Sequence, residues 1–527
     1  MIKILVSDPM TKEGLKVLES ERGIKVDVRE KLTPDQLKEI IKGYDAIIVR
    51  SATKVTKEVI EASDKLRVIG RAGAGLDNVD VEAASKKGII VLNAPAGNTI
   101  STAEHTMAMM LGLSRNIAQA DMSIKNGVWD RKKFMGTELY GKTLGIVGMG
   151  RIGTEVAKRA LSFQMKVIAY DPFLPADKAK QIGVELYDLK NLLKAADYIT
   201  VHTPMTEKTS HMISDEEFKI MKNGVRIINC ARGGIIDEAA LKKAIESGKV
   251  AGCALDVFES EPPKDFALAK TSSVIATPHI GASTEEAQVS VSIDIAEIVL
   301  DVLLNRCIRN AVNMPCVDSE LLKVLQPYIT LAEKLGLLGA QLAEGHIKEV
   351  KIKYVGEVAN YDTSSLTIAV LKGMLTPILQ ETVNFVNAPM IARERGIKIS
   401  ETKTAEIENF ANLISVDIET DKTKLNVDGM LFTKTDSRIV NIGGFFVEAV
   451  PSGYMLVISN KDVPGIIGAI GTLMGKNKIN IAGMSFGRDK PGGKAVSMLN
   501  IDSVVPKDVL AEIKSAKDIY DVKLVKL

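Results

Sequence analysis

The stretch LGIVGMGRIGTEVAKRA, residues 144–160, decides the fold. An apolar run, LGIV, leads directly into Gly148-x-Gly150-x-x-Gly153, and TEVAKRA continues with apolar residues at helical spacing. A GxGxxG pattern alone recurs by chance. Strand, glycine turn and amphipathic helix in that order supply the context the motif needs. The glycines permit a tight turn and close approach of backbone to a pyrophosphate, which then faces the unpaired N–H groups of the helix N-terminus. The next strand, KVIAYD, ends at Asp171, eighteen residues after Gly153. A carboxylate there accepts hydrogen bonds from both ribose hydroxyls and repels a 2′-phosphate, so NAD is the expected cofactor.

Working outward, YITVHTP, RIINCA, VAGCALDVF and SVIATPH read as further strands of the same block. Before it, IKILVSD, IKVDVRE, DAIIVRS, LRVIGRAG and GIIVLNA alternate with helical patterns. Strand and helix in alternation imply a parallel, doubly wound sheet in each block. Residues 100–126 read as one long helix, and STEEAQVSVSIDIAEIVLDVLLN leads the chain back to the first block. The expected α/β core is therefore a Rossmann-type NAD domain (99–281) inserted in a flavodoxin-like substrate domain (1–98 and 282–314). An α+β domain (315–450) follows, with a helix LQPYITLAEKLGLLGAQLAEG and strands IKEVKIKYVGEV and RIVNIGGFFVEAV. Gly443-Gly444 reads as a hinge, a bulge or a local turn. Residues 451–527 give β-α-β-β-α-β, the ferredoxin-like order.

At 527 residues the chain is too long for one core. Its 46% hydrophobic and 25% charged residues are ordinary for a globular protein, and a net charge of +2 points to no nucleic-acid or membrane partner. The opening MIKILVSDPM reads as a strand, not a leader, and no apolar run approaches the ~20 residues that span a bilayer. The four cysteines, Cys230, Cys253, Cys307 and Cys316, lack paired spacing and read as free thiols. A cytoplasmic protein without a metal site is expected.

Three charged residues stand at or just after strand ends of the second block: Arg232 after RIINCA, Glu261 after VAGCALDVF and His279 after SVIATP. That edge of an open α/β sheet is where ligands bind. Hydride transfer to a 2-keto acid needs these residue types. A guanidinium holds the carboxylate bidentately and polarises the adjacent carbonyl. An imidazole exchanges the proton of the alcohol, and a paired carboxylate favours the protonated ring and orients it. Gly233-Gly234 leaves room for nicotinamide and substrate.

NCARGGIIDEAAL, LDVFESEPP, TPHIGAST and GKTLGIVGMGRIG resemble the signature segments of the D-isomer-specific 2-hydroxyacid dehydrogenases. The resemblance runs the length of the chain and points to the long, D-3-phosphoglycerate-oxidising branch of that family. It implies Arg232 as substrate holder, His279 as acid/base and Glu261 as its orienting partner. It implies cofactor contacts from Gly148, Gly150, Arg151, Ile152, Gly153, Asp171, Thr203, Cys230, Ala231, Arg232, Asp256, and from His279, Ile280, Gly281 and Ala282. Where the family often carries Thr, this chain has Ala74.

A phosphorylated substrate needs further cations. Arg50-Ser51 stands at a strand end, and Arg71 stands beside a glycine-rich turn whose Gly73, Ala74 and Gly75 could offer N–H groups to a carboxylate. The resemblance adds Arg131, reaching toward a neighbouring subunit; Trp129, the only tryptophan, reads as an interface anchor. The last unit resembles an ACT domain, an amino-acid-sensing module. That resemblance implies L-serine as effector at Asn460, Asp462, Pro464, Gly465 and, from an adjacent chain, Asn480. Dimer and tetramer both fit the sequence, and two interface-prone domains favour a homotetramer. The competing readings are a glyoxylate, hydroxypyruvate or lactate-type dehydrogenase and an NADH-sensing binder without turnover.

Overall fold

The computed structural model of the chain describes residues 1–317, 319–379, 382–406 and 412–527. Five strands, β1 (Ile2–Val6), β2 (Ile24–Val28), β3 (Ala46–Val49), β4 (Val68–Arg71) and β5 (Ile90–Asn93), pair in the order β2-β1-β3-β4-β5, all parallel. That is the flavodoxin-like order. Alternate residues face opposite layers. Ile4, Val6, Ile48 and Val68 pack against helix Glu285–Leu303, whereas Leu5, Ile47, Val49 and Ile69 pack against helices Pro34–Ile40 and Lys57–Ala62.

The second sheet holds β6 (Thr143–Val147), β7 (Lys166–Tyr170), β8 (Glu185–Leu186), β9 (Tyr198–Val201), β10 (Val225–Asn229), β11 (Val250–Leu255) and β12 (Val274–Ala276). Its order is β12-β11-β10-β9-β6-β7-β8, again parallel throughout. The winding direction reverses between β6 and β9, so the turns after these two strands share the crevice where ligands bind. The chain enters this unit through helix Thr99–Arg115, whose Ala103, Met107, Met110 and Leu113 pack with Leu144 and Ile146. It returns through helix Glu285–Leu303, capped by Thr284, whose hydroxyl accepts the Ala287 N–H. NAVNMP then runs beside β5: Val312 N–H donates to the Val91 carbonyl, and Ala311 bridges Leu92.

The third sheet joins β13 (Ile347–Gly356), β14 (Lys398–Thr404), β15 (Asn412–Thr420), β16 (Lys424–Leu431), β17 (Ser437–Ile442) and β18 (Phe445–Ala449) in the order β14-β13-β15-β16-β17-β18. The β13–β14 pair is parallel and the others antiparallel. Helices Ser319–Leu342 and Ser364–Leu375 cross at backbone contact: a Cβ on Gly336 would stand 2.1 Å from the Val370 carbonyl oxygen. The last sheet, β19 (Tyr454–Lys461), β20 (Ile481–Arg488), β21 (Lys494–Ile501) and β22 (Ile519–Lys526), is antiparallel in the order β20-β21-β19-β22. Leu456, Ile458 and Leu499 pack beneath its two helices, and Met455, Val457 and Met498 join the core of the third unit.

The structure corrects the sequence reading in four places. The helix expected over 100–126 breaks at Asn116, whose φ of 53° ends Thr99–Arg115 and starts Ile117–Lys125. RIVNIGGFFVEAV is two strands, with Gly443 and Gly444 at φ 58° and 88° turning between them, so the pair is a hairpin turn. SVIATPH is strand only over Val274–Ala276. Between residues 359 and 437, where the sequence signals no element, two helices and three strands of the third sheet lie among the described residues. Among the described residues no helix is long and apolar enough to cross a membrane.

Candidate active site

A cleft of about 540 Å³ opens between the first two sheets, lined from one side by Ala74–Asp77 and from the other by Ile152, His202–Met205, Cys230–Arg232, Asp256 and His279 with Gly281 and Ala282. Three consecutive strands of the second sheet deliver its chemistry. At the end of β10, Asn229 folds the chain back: its side-chain amide donates to the Arg232 carbonyl (2.8 Å) and its Oδ1 accepts the Ala231 N–H (3.0 Å). Arg232 then reaches across the cleft, its Nε 3.3 Å from Asp77 Oδ2. A Cβ on Gly75 would stand 2.0 Å from the Arg232 guanidinium, and one on Gly233 would stand 1.8 Å from the Phe258 carbonyl oxygen. Gly233 is therefore required by close approach of backbone, whereas at Gly75 the end of the Arg232 side chain would have to shift.

His279 Nδ1 lies 2.6 Å from Glu261 Oε2, and the other carboxylate oxygen accepts the Phe258 N–H at 3.1 Å. Burial alone would raise the Glu261 carboxyl. The hydrogen bond and charge of His279, the Phe258 N–H and Arg232 outweigh it and hold the group below the usual carboxylate range. An ionised carboxylate can only accept, so Nδ1 carries the proton and Nε2 is left for a substrate.

His279 holds φ 54°, a left-handed conformation uncommon for a residue with a side chain. Asp256, 1% exposed, holds it there. The Asp256 carbonyl accepts the His279 N–H (2.8 Å), its Oδ1 accepts the Ile280 N–H (2.8 Å) and the Thr277 hydroxyl (2.6 Å), and its Oδ2 accepts the Gly281 N–H (2.8 Å). His105 Nε2 approaches Oδ1 at 3.3 Å. Asp256, expected as a cofactor contact, lines the cleft but spends its carboxylate on the loop that carries His279.

The glycine turn fits a dinucleotide. Gly148 has φ 98°, and a Cβ there would stand 2.7 Å from the His202 carbonyl oxygen; one on Gly153 would stand 2.1 Å from the Gly148 carbonyl oxygen. Gly150 alone faces open space, where a pyrophosphate would lie against helix Arg151–Ser162. Asp171 accepts the Met149 and Phe173 N–H groups at 2.8 Å each, which places its carboxylate beside the turn with lone pairs left for ribose hydroxyls. Asn98 Oδ1, His202 Nδ1 and Thr203 Oγ1 are buried without a protein partner, and all three residues line this cleft. Orphaned polar atoms gathered at one wall mark a ligand surface. Burial pushes His202 down to about 4 and the Cys230 thiol up to about 12, so both are neutral.

On the first sheet, Arg71 lies over Gly73, with its Nε buried and unpartnered. Burial, then the charges of Arg232 and Arg50, push its guanidinium down to about 10. Cations crowded in this way favour an anion between them. Arg50 is held by Asp8, which accepts its N–H at 2.6 Å, and donates to Gln288 at 2.7 Å; exposed Ser51 follows it. The Ala74 carbonyl accepts the Asn93 amide. Arg131 stands apart on an exposed segment with Trp129 (80% exposed) and Met135 (82%).

The expected effector residues are not an open cluster. Asn460 is 0% exposed, its Oδ1 accepting from Ser497 and its amide donating to the Lys461 carbonyl, so it faces the sheet interior and presents nothing to a ligand. Asp462 accepts from Arg488 (3.0 Å) and the Gly492 N–H (3.2 Å), and Asn480 donates to Asp502 (2.7 Å). Pro464 and Gly465, at φ 99°, form the turn into helix Ile466–Lys476.

The reading from sequence missed Asp77, Thr102, His105 and Thr277. Its only available signal for the helix residues was a histidine and two threonines within the apolar pattern ISTAEHTMAMM.

Residues 107–281 match the family model of the D-isomer specific 2-hydroxyacid dehydrogenase NAD binding domain, 324–443 the D-3-phosphoglycerate dehydrogenase intervening domain, and 454–518 the ACT domain. The chain is 48% identical to a D-3-phosphoglycerate dehydrogenase of Methanocaldococcus jannaschii, with 100% of each chain covered. It belongs to the D-3-phosphoglycerate dehydrogenase family. A relative of the same name from Archaeoglobus fulgidus is 45% identical, again over 100% of both chains. A solved D-lactate dehydrogenase of Aquifex aeolicus, complexed with NAD and lactic acid, aligns with TM-score 0.52 and 31% identity over 58% of this chain and 96% of its own. The chain is thus an NAD-binding 2-hydroxyacid dehydrogenase.

Proposed function

We propose that the chain oxidises D-3-phosphoglycerate to 3-phosphohydroxypyruvate with NAD, the first step of the phosphorylated route to L-serine. One observation carries this reading: Arg232 and His279, the latter paired with Glu261, line one cleft beside a dinucleotide-type glycine turn, with the half-buried Arg71 within reach of the Arg232 charge. Full-length relatives bearing the D-3-phosphoglycerate dehydrogenase name support it.

NAD, held by the turn at Gly148–Gly153, by Asp171 and by the Thr203 and Cys230–Arg232 edge, supplies the oxidising nicotinamide when bound. The chain does the rest. Arg232 and the N–H groups of Gly73–Gly75 hold the carboxylate and orient C2. His279 Nε2 takes the hydroxyl proton, and Glu261 stabilises the imidazolium that results. Arg50, Ser51 and Arg71 receive the phosphate. The exposed apolar face around Trp129 and Met135 is suited to a second copy of the chain, which would bring Arg131 to the neighbour's cleft. The same reading includes domain limits at residues 98, 281, 314 and 450, a homotetramer in the cytoplasm, and L-serine as effector. Asp462 would then exchange Arg488 for the serine ammonium, with Asn480 from an adjacent chain.

The test is NADH formation with D-3-phosphoglycerate, D-lactate and D-glycerate, each with and without L-serine. Selective turnover of the phosphorylated acid supports the assignment. Preference for an unphosphorylated acid moves it to the glyoxylate or lactate type. NADH binding without any turnover favours the non-catalytic binder. Turnover indifferent to serine removes the effector.

A further inference from the structure

Helix Thr99–Arg115 lays one face along the floor of the site. Thr102, His105, Thr106 and Met109 share that face, being three, four and seven residues on from Thr102. Each touches the catalytic edge. Thr102 Oγ1 donates to the Gly281 carbonyl (3.4 Å), His105 Nε2 stands 3.3 Å from Asp256 Oδ1 and 3.2 Å from Thr277 Oγ1, Thr106 hydrogen-bonds the Cys230 thiol, and Met109 Sδ lies 4.0 Å from Thr277 Oγ1.

A carboxylate offers about four acceptor positions. Asp256 fills three with the Thr277 hydroxyl and the Ile280 and Gly281 N–H groups, and His105 Nε2 stands at the fourth, 3.3 Å from Oδ1. Two of these donors belong to the backbone that follows His279 directly. Because Asp256 accepts only, and the Thr277 hydroxyl proton is committed to it, His105 must present Nε2–H to this pair. His105 does not itself line the cleft. Its reach to the chemistry runs through Asp256 and through Thr277, whose hydroxyl it approaches at 3.2 Å.

We infer that His105 is a positioning residue for the reaction: it completes the hydrogen-bond set of Asp256 and thereby keeps His279 in its left-handed conformation, facing the substrate. Without this donor the buried carboxylate has an unmet acceptor and is free to turn, and the Ile280 and Gly281 amides lose a fixed partner. The helix starts where the chain crosses from the first sheet to the second, so His105 also ties the placement of His279 to the setting of the two units.

The inference rests on the dehydrogenase reading, and its test has one arm that does not. Full-length His105→Leu, His105→Gln and His105→Asn are compared with the unsubstituted chain. Glutamine carries a donor to the place of Nε2; asparagine is too short to reach it. The first arm is amide hydrogen exchange of residues 277–284, and the second is kcat and KM for D-3-phosphoglycerate and NAD. Expected for Leu and Asn is about tenfold faster exchange and about tenfold lower kcat, with both KM values within about twofold, and recovery of both readouts in Gln. Should Leu fail to fold, the Asn–Gln contrast decides alone. Unchanged exchange in the Leu and Asn variants overturns the inference, as does faster exchange at full kcat, or an equal loss in Gln and Asn. Absence of turnover in the unsubstituted chain would count against the function, while exchange still decides whether His105 holds the loop.

Discussion

His279 Nδ1 and Glu261 Oε2 meet at 2.6 Å although the two residues leave the sheet on different strands. Glu261 is itself pinned by the Phe258 N–H, so the pair is built from the loop after β11 reaching beneath the loop after β12. If the ring is the proton acceptor, His279→Gln lowers kcat by about a hundredfold to ten-thousandfold. Glu261→Gln keeps the hydrogen bond but drops the charge, and a smaller loss of about tenfold is expected. Steady-state kinetics of both variants check this. Equal losses would mean that Glu261 does more than orient and stabilise the ring.

Arg232→Lys keeps a positive charge but loses the planar fork that spans Asp77 and the cleft. A charge-assisted hydrogen bond contributes about 1.5–3 kcal/mol. The expected result is roughly a tenfold to hundredfold fall in kcat/KM for the acid, with NADH affinity unchanged by fluorescence titration. A fall confined to NADH affinity would move Arg232 from substrate to cofactor.

Gly150 and Gly153 should separate folding from binding. Gly150 has φ −67° and open space around a built Cβ, so Gly150→Ala changes stability by less than about 0.5 kcal/mol. The same methyl occupies the place of a pyrophosphate and should weaken NADH binding by at least about tenfold. Gly153→Ala forces a Cβ to 2.1 Å from the Gly148 carbonyl and should cost about 1–3 kcal/mol of stability as well. Thermal unfolding and NADH titration of the two variants test the pair. Undiminished NADH affinity in Gly150→Ala would place the pyrophosphate elsewhere.

The parallel sheets were legible because their central strands are buried on both faces and read as continuous apolar runs. β14, KISETKT, gave no such signal: it is an exposed edge strand held on one side only, by β13. The break at Asn116 was invisible because asparagine adopts the left-handed conformation without the glycine or proline that announces a helix end. In the site, Arg232, Glu261 and His279 could be read because each follows its own strand. His105 and Asp77 could not, since their partners lie far along the chain and only folding brings them together. Asn460 misled for a related reason: its sequence neighbours form a ligand-type loop, but Ser497 on the adjacent strand draws its side chain inward.

Asp256 ties the loop that carries His279 to acid stability. Burial would raise its carboxyl, but hydrogen bonds from His105, Thr277, Ile280 and Gly281 outweigh it and hold the group below the usual aspartate range. A carboxylate whose value is depressed on folding binds fewer protons than in the unfolded chain. Its contribution is therefore fully present above the unfolded value of about 3.9 and is lost as pH falls through the lower folded value. Asp256→Asn lacks this titration. The Tm difference between the unsubstituted chain and Asp256→Asn should be constant from about pH 7 to pH 5 and shrink below about pH 4. Amide exchange of residues 277–284 should accelerate over the same acid range in the unsubstituted chain. A Tm difference that stays constant to about pH 3 would show that the hydrogen bonds do not depend on the charge, and that Asp256 holds His279 by shape alone.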